Sequence, residues 1–282
     1  MPLVSFVDEL KRASRERYAI PLFDIFEKLG ADGIFEAAEA KKAPTIVGTG
    51  GRMFDRPGGP EMCAYLVERA KNASVPITIY LDHGESFERC IQAIRLGFTD
   101  VMYDGSRLPI EENIETTRLV VRAAHAVGVG VEAELGHVGQ GSDYENFGSR
   151  REGFTKPDDV ERFVEATGVD FLAIAIGSAH GQYKGTPELD YELLAEIRSR
   201  VDTPLVMHGG SGLSDEQFRQ AISLGIAKVN IFTDLTLRSA ARMLAIAKGE
   251  APSFFGMAGA IREGFREGSE YYLDVFGATG KA

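Results

Sequence analysis

The stretch Leu96-Gly97-Phe98-Thr99-Asp100-Val101 marks the junction between a helix and the strand that follows it. A glycine at this place can adopt the left-handed conformation that ends a helix, and an apolar run begins a few residues later. The same form recurs at Thr167-Gly168-Val169-Asp170-Phe171 and at Leu224-Gly225-Ile226-Ala227-Lys228-Val229. This weak internal repeat predicts a chain built from alternating helices and strands.

Eight short apolar runs have the length and composition of buried strands. They are Tyr18–Phe23, Thr45–Gly48, Ile77–Leu81, Asp100–Tyr103, Gly130–Glu134, Phe171–Ile176, Pro204–His208 and Lys228–Phe232. Amphipathic segments lie between them: Gly33–Lys42, Glu61–Ala73, Phe87–Leu96, Glu112–Val127, Asp158–Thr167, Tyr191–Arg200 and Asp215–Leu224. This alternation favours the α/β class and a (β/α)8 TIM barrel over an open doubly wound sheet. The chain after Ala251-Pro252 then supplies additional C-terminal helices, from Phe254 to about Phe276.

The composition narrows the class of ligand. The chain has 282 residues with 42 acidic and 31 basic side chains, and no linker divides it, so we expect one domain, residues 1–282. The acidic balance disfavours binding to nucleic acid or to an anionic membrane, which leaves a small molecule. The N-terminus lacks the apolar core of a signal peptide and no run would span a membrane, so we expect a cytoplasmic protein. Cys63 and Cys90 lack metal-ligand spacing and are expected to be buried thiols.

Three of the five histidines share one context. His83, His180 and His208 each end an apolar strand-like run and are followed by glycine. A lone histidine in such a place is more often a hydrogen-bonded core residue, but three of them suggest a catalytic zinc site, which needs three protein ligands and an open position. His125 lies on a helical run and is interpreted as structural, whereas His137 is ambiguous.

In a (β/α)8 barrel the active-site groups come from the carboxyl ends of the strands. These ends carry Asp24, Asp82, His83, Asp104, Glu134, His180, His208 and Asn230. The loops after strands seven and eight, Gly209–Gly212 and Asn230–Thr233, are those where barrels commonly bind phosphate on backbone N–H groups. Periodicity and chemistry therefore point to one face of the barrel.

From about Tyr18 to Thr236 the chain resembles the class II, zinc-dependent ketose-bisphosphate aldolases, which include fructose- and tagatose-bisphosphate aldolases. The motifs that carry the resemblance are Leu81-Asp82-His83, Asp104-Gly105-Ser106, Glu112-Asn113, Val131-Glu132-Ala133-Glu134-Leu135-Gly136, Ala173-Ile174-Ala175-Ile176-Gly177, Ala179-His180-Gly181 and His208-Gly209-Gly210-Ser211-Gly212. Such a series in the right order is highly specific.

The resemblance implies a role for each matching residue. His83, His180 and His208 would bind the catalytic zinc, and Asp82 would be the general acid/base at the hydroxyl of the aldehyde-derived half. Glu134 and Asp104 would orient the ligands or form a second cation site. Backbone groups of Gly181, Gly209 and Ser211 would hold a monovalent cation such as Na⁺ or K⁺. The dihydroxyacetone phosphate moiety would be surrounded by Gly209, Gly210, Ser211, Asn230, Ile231, Phe232 and Thr233, with Lys184 as a cationic contact.

Three departures from the family pattern bear on the substrate. The loop position that usually holds the glutamate base carries Ser142, so Asp143 and Glu145 become the candidates for that base, or these acids only solvate the loop. Asp24 replaces the usual asparagine at strand one, and Gly48-Thr49-Gly50-Gly51 lacks the expected serine. Together they suggest a different or more hydroxylated substrate without a second phosphate. An anionic far end would meet basic side chains, the candidates being Arg52, Arg150 and Arg151.

We therefore expect a zinc-dependent lyase that reversibly cleaves a phosphorylated ketose into dihydroxyacetone phosphate and an aldehyde. The ketose would be a bisphosphate, a 1-phosphate or a sugar-acid phosphate. Two alternatives stay open: a metal-dependent sugar-phosphate epimerase or isomerase, and a catalytically idle barrel that acts as a binding subunit. By the same resemblance a homodimer or homotetramer is expected, formed through the C-terminal helices.

Overall fold

A closed barrel of eight parallel strands forms the centre of the molecule. The computed structural model describes residues 2–143, 151, 153–249 and 251–282. Each strand pairs with the next along the chain, and the eighth pairs with the first. The strands are β1 Ile20–Asp24, β2 Thr45–Gly50, β3 Ile77–Gly84, β4 Asp100–Tyr103, β5 Gly130–Leu135, β6 Phe171–Ile174, β7 Leu205–Met207 and β8 Ile226–Ile231. The predicted (β/α)8 barrel is confirmed, with all eight strands close to their expected places.

Ten α-helices surround the barrel in the described part of the chain. They are α1 Val7–Glu16, α2 Lys28–Lys41, α3 Gly59–Lys71, α4 Phe87–Arg95, α5 Ile110–His125, α6 Pro157–Thr167, α7 Tyr191–Arg200, α8 Asp215–Ser223, α9 Thr233–Ala247 and α10 Phe254–Val275. Seven of them match the amphipathic segments of the sequence. Two were not expected, α1 and α9, and the C-terminal segment is one continuous helix rather than several.

The N-terminal segment closes the lower end of the barrel, opposite the carboxyl ends of the strands. Asp100, at the start of β4, is fully buried and accepts hydrogen bonds from Ser5 Oγ at 2.5 Å, Phe6 N at 2.8 Å and Gly130 N at 3.0 Å. Burial raises the pKa of Asp100 to about 7, although these donors favour its charged form. This carboxyl therefore anchors α1 to the strands.

The C-terminal helix α10 packs against α2 and α9. Glycines permit the close approach, since a Cβ at Gly33 would lie 2.3 Å from the Arg262 carbonyl oxygen and a Cβ at Gly264 would lie 2.4 Å from Ser239 Oγ. At the start of α10, Phe254 and Phe255 are 75% and 84% exposed. Within the described ranges no helix has the length and apolarity that crossing a membrane requires.

Candidate active site

The upper end of β3 carries a local distortion that places His83. Between Leu81 and Gly84, β3 has one residue more than β4 opposite it, as in a β-bulge. His83 lies within this bulge and has a φ of +48°, in a backbone region that residues other than glycine rarely adopt. The strain turns its ring toward two other histidines, as backbone strain often does at functional sites.

The three predicted zinc ligands lie together at the carboxyl ends of β3 and β7 and in the segment after β6. Ring centroids are 4.7 Å apart for His83 and His208, 4.9 Å for His83 and His180, and 5.9 Å for His180 and His208. One ring nitrogen from each lies within 4.8 Å of the other two. Because Zn–N bonds are about 2.0–2.1 Å, three nitrogens at this spacing fit one tetrahedral ion with an open position.

Acidic side chains stand behind two of these rings. His83 Nδ1 donates to Asp104 Oδ2 at 2.7 Å, and His208 Nε2 donates to Glu132 Oε1 at 2.8 Å. Burial opposes charge on His83, but Asp82, Asp104 and Glu134 outweigh it and raise its pKa to about 10. Burial and the charge on His83 lower the pKa of His180 to about 3. Carboxylates that hold the far nitrogen of a ligand histidine are typical of metal sites.

Asp82 is buried beside the histidines, with its Oδ2 3.9 Å from His83 Nε2. Asn230 Nδ2 donates to its Oδ1 at 2.8 Å. Burial alone would raise the pKa of Asp82, but positive charge on His83 and Lys228 lowers it below the usual value. Asp82 is therefore a carboxylate that can accept a proton.

Asp24, at the end of β1, is the neighbour of Asp82, but its pKa is shifted in the opposite direction. It is 8% exposed, and its Oδ1 has no hydrogen-bond partner among the residues that the structure describes. Burial and the negative charge of Asp82 raise the pKa of Asp24 well above its usual value. This shift favours the protonated form of Asp24, which can donate a hydrogen bond as an asparagine would.

A second candidate cation group shares His83 with the first. His83, Asp104 and Glu134 each offer an atom within 4.8 Å of the others. Glu134 is 1% exposed; its Oε1 accepts from Val138 N at 3.1 Å, whereas no hydrogen bond reaches its Oε2 from the described residues. Burial and Asp104 raise the pKa of Glu134 to about 8. The structure thus places Glu134 and Asp104 beside His83, one of the three histidines predicted to bind zinc.

Two charged residues of this region were missed by the sequence analysis. Glu132 on β5 and Lys228 on β8 are both fully buried, and Lys228 Nζ donates to Glu132 Oε2 at 2.9 Å. Burial opposes the charge on Glu132, but Lys228 and His208 lower its pKa. The signal was present, because a lysine within the apolar run Ile226–Ile231 needs a buried partner.

A cavity of about 830 Å³ opens above these residues. Its wall includes most of the predicted substrate contacts, namely Asp24, Asp82, Gly181, Gly209, Ser211, Asn230, Phe232 and Thr233. Lys184 lines a smaller neighbouring cavity of about 480 Å³, which also contains His180, Gly181 and Thr233. Gly210 and Ile231 line neither of them. Gly210 instead donates its N–H to the Asn230 carbonyl oxygen at 3.2 Å and supports the loop from behind.

The loop predicted to hold phosphate is fixed at two points. Ser211 Oγ accepts from Asp234 N at 3.2 Å, at the N-terminus of α9. The Gly209 carbonyl accepts from Tyr183 Oη at 2.8 Å, and the same hydroxyl accepts from Ala179 N at 2.7 Å. Tyr183 thus joins the two segments that carry His180 and His208.

The remaining predicted positions are divided between the main cavity and other parts of the molecule. Asp143 ends a short 3-10 helix, Gly141–Asp143, next to the Lys184 cavity, while Glu145 and Arg150 lie outside the described residues. Arg52 lines the main cavity. Arg151 does not line it and forms an ion pair with Asp190 at 2.5 Å.

The ambiguous His137 is not part of the histidine cluster; its Nδ1 lies 3.3 Å from Ser106 Oγ. His125 pairs with Asp170 at 2.8 Å, consistent with a structural role.

Comparison with known proteins agrees with this geometry. The sequence model of the family described as fructose-bisphosphate aldolase class-II matches residues 4–281. The chain belongs to this family. A fructose-bisphosphate aldolase of Geobacillus stearothermophilus is 44% identical over 239 residues, which cover 83% of this chain and 82% of that one.

Other class-II aldolases differ in the substrate that they are named for. A 6-phospho-5-dehydro-2-deoxy-D-gluconate aldolase of Halalkalibacterium halodurans is 42% identical, covering 83% of this chain and 81% of its own. The crystal structure of the YdjI aldolase from Escherichia coli K12 superposes with a TM-score of 0.89 at 33% identity, covering 99% of both chains. The expected class-II aldolase family and the lyase class are confirmed.

Proposed function

We propose that this class-II aldolase is zinc-dependent and reversibly cleaves a phosphorylated ketose into dihydroxyacetone phosphate and an aldehyde. The observation that supports this most directly is the ionised Asp82 beside three histidines in one cavity. A binding subunit would have no evident need for a buried base next to a metal cluster. The relatives named for aldolase reactions support the same conclusion.

The metal would be held by His83, His180 and His208, whose nitrogens fit one tetrahedral ion. Imidazole ligands suit zinc, which keeps an open position in catalytic sites. When bound, the ion supplies Lewis-acid stabilisation for the negative charge of the enediolate that forms on carbon–carbon cleavage. No lysine Schiff base is then required.

Asp82 takes the proton of the C4 hydroxyl during cleavage and returns it during condensation. The hydrogen bond from Asn230 Nδ2 holds its carboxylate in place for this transfer. At the other end of the substrate, backbone N–H groups of Gly209 and Ser211 and of the N-terminus of α9 would hold the phosphate, while Gly210 supports this loop from behind. The base that exchanges the C3 proton would be Asp143 or Glu145. A Na⁺ or K⁺ ion on backbone groups of Gly181, Gly209 and Ser211 would complete the phosphate site.

The aldehyde end of the substrate lies toward Asp24 and Arg52. The protonated form of Asp24, which burial and Asp82 favour, would donate to a substrate hydroxyl. Arg52 lines the same cavity, has no ion-pair partner in the described part of the chain, and would meet an anionic group at the far end. The relatives are named for a bisphosphate and for a sugar-acid phosphate, both of which carry such a group. The substrate would be a ketose bisphosphate, a ketose 1-phosphate or a sugar-acid phosphate.

The decisive experiment follows proton exchange into dihydroxyacetone phosphate in deuterated water by NMR, without aldehyde, on the zinc-loaded protein. We expect exchange in the wild type and its loss in His208→Ala. Asp82→Asn should keep exchange, because Asp82 acts on the C4 hydroxyl, but should lose carbon–carbon bond formation with an aldehyde. His125→Ala is the matched control, because this histidine pairs with Asp170 away from the cavity and should leave exchange unchanged. Absence of exchange in the wild type with zinc bound would refute the assignment and favour a binding role.

A panel of aldehydes then separates the reaction classes and tests the far end of the site. Carbon–carbon bond formation identifies an aldolase, whereas exchange without any condensation would identify an isomerase. Arg52→Gln should raise the KM for anionic aldehydes only. Arg56→Gln is the control, because its guanidinium lies over the Phe26 ring and it does not line the cavity.

The apolar surface at Phe254 and Phe255 supports the further proposal of a homodimer or homotetramer formed through the C-terminal helices.

A further inference from the structure

A continuous chain of hydrogen bonds runs through the barrel interior from a zinc-ligand candidate to the acid/base candidate. His208 Nε2 donates to Glu132 Oε1 at 2.8 Å, and Lys228 Nζ donates to Glu132 Oε2 at 2.9 Å. Lys228 Nζ also donates to Asn230 Oδ1 at 2.8 Å, and Asn230 Nδ2 donates to Asp82 Oδ1 at 2.8 Å. The chain therefore links β7, β5, β8 and β3.

Glu132 determines which nitrogen of His208 carries the hydrogen. A carboxylate only accepts hydrogen bonds, so the His208 nitrogen that faces Glu132 must be the protonated one. The other nitrogen, Nδ1, then keeps its lone pair and lies 2.9 Å from His83 Nε2, inside the ligand cluster. Without the carboxylate the imidazole could place its hydrogen on either nitrogen, and one of the two tautomers cannot bind a metal.

Lys228 determines the orientation of the Asn230 amide. An ammonium group only donates, so Asn230 must turn its oxygen toward Lys228 and its nitrogen toward Asp82. The opposite amide orientation would set two donors against each other at Lys228 and two acceptors against each other at Asp82. Lys228 is further held by the Tyr80 ring, whose centroid lies 4.5 Å from its Nζ.

Neither Glu132 nor Lys228 lines the cavity, and both are fully buried, so they do not touch the substrate. We propose that this ion pair is a positioning device which fixes the tautomer of His208 and the amide of Asn230 together. It couples the metal ligand to the acid/base through one pair of opposite charges. The inference rests on the proposed function only for its effect on turnover, since its effect on zinc binding stands independently.

Glu132→Gln is the sharpest test. The new amide oxygen would accept from Lys228, which leaves the amide nitrogen to donate to His208 Nε2 and forces the hydrogen onto Nδ1. We expect zinc affinity, measured by competition with a chelator, to fall about 10- to 100-fold. Nitrogen-15 NMR of the full chain should show the hydrogen of His208 on Nε2 in the wild type and on Nδ1 in the variant.

Lys228→Met tests the part of the proposal that concerns the Asn230 amide. Zinc affinity should fall far less than in Glu132→Gln. The turnover number for condensation of dihydroxyacetone phosphate with an aldehyde should fall about tenfold or more, while the KM for dihydroxyacetone phosphate stays close to the wild-type value. The double variant Glu132→Gln/Lys228→Met removes both charges, so its thermal stability should recover relative to Lys228→Met. Its zinc affinity should also recover relative to Glu132→Gln, because no ammonium then holds the new amide oxygen, which can turn to accept from His208 Nε2.

Asp100→Asn is the matched control, because it also removes a fully buried carboxylate but at the opposite end of the barrel. Its zinc affinity should equal that of the wild type even if its melting temperature falls. The proposal is overturned if Glu132→Gln keeps wild-type zinc affinity, or if His208 of the wild type carries its hydrogen on Nδ1. The NMR measurement on the wild type decides the question even when a variant does not fold. Loss of exchange in the wild type itself would refute the aldolase assignment but not this device.

Discussion

Replacing Gly33 by alanine tests how closely α10 packs against α2. A Cβ at residue 33 would lie 2.3 Å from the Arg262 carbonyl oxygen and 3.0 Å from the Arg266 backbone nitrogen. Ordinary van der Waals contact begins near 3.4 Å. Both neighbours are backbone atoms of a helix, so no side-chain rotation relieves the clash and the two helices must separate by about 1 Å.

Two opposing effects determine the size of the change. Alanine gains about 1 kcal/mol of helix propensity over glycine, whereas overpacking of a tight interface costs about 1–3 kcal/mol. Because the clash is between backbones, we expect its cost near the upper end and a net loss of about 1–2 kcal/mol. At about 2.1 cal/mol/K per residue, unfolding of this chain has an entropy of about 0.6 kcal/mol/K, so Tm falls by about 2–3 °C.

Gly259→Ala is the matched control, on helix α10, which packs against the helix that carries Gly33. A Cβ at Gly259 meets no atom within 4 Å, so only the propensity term remains and Tm should rise by about 1–2 °C. Differential scanning calorimetry of the two variants beside the wild type measures both shifts. If Gly33→Ala and Gly259→Ala raised Tm equally, the close approach of α10 and α2 would be refuted.

Three further predictions concern single groups. Burial and Asp82 raise the pKa of Asp24, and an asparagine cannot ionise. Asp24→Asn should therefore exchange dihydroxyacetone phosphate near the wild-type rate at pH 7. In a rate–pH profile, the variant should lack any fall in rate at alkaline pH that ionisation of Asp24 causes. The pKa of Asp100 is raised from 3.8 to about 7 on folding, so its stabilising effect is present at acid pH and is lost as pH rises toward 7. Urea unfolding should therefore show the stability difference between the wild type and Asp100→Asn changing between about pH 4 and pH 7, and a constant difference would contradict the burial argument. Phe254→Ser/Phe255→Ser should weaken self-association in sedimentation experiments, and an unchanged sedimentation coefficient would argue against an interface at these residues.

The barrel could be predicted from sequence because each strand is a short apolar run between a glycine-ended helix and the next amphipathic segment. The position of the ligand histidines followed from the same pattern, since all carboxyl ends of parallel strands meet at one face. Helix α1 was missed because its apolar residues are few, with only Leu10 and Ala13 buried. Helix α9 was missed because its sequence follows directly on the expected phosphate loop.

Side-chain contacts between different strands could not be predicted from the sequence. Lys228 is conspicuous in an apolar run, but nothing in one sequence states that its partner is Glu132, 96 positions away. The raised pKa of Asp24 likewise depends on burial and on Asp82 lying beside it, which only the closed barrel brings about. Such features arise from three-dimensional proximity and burial, so local sequence patterns do not encode them.

The backbone conformation of His83 lowers stability at a residue that is predicted to bind the catalytic metal. Its φ of +48° suits glycine better than an imidazole-bearing residue, and such strain costs about 1–3 kcal/mol. Glycine at this position would relieve the strain, but it would also leave the carboxylates of Asp104 and Glu134 without the ring that lies beside them. The proposed metal site therefore depends on a residue that its own backbone disfavours and that the surrounding charges hold in place.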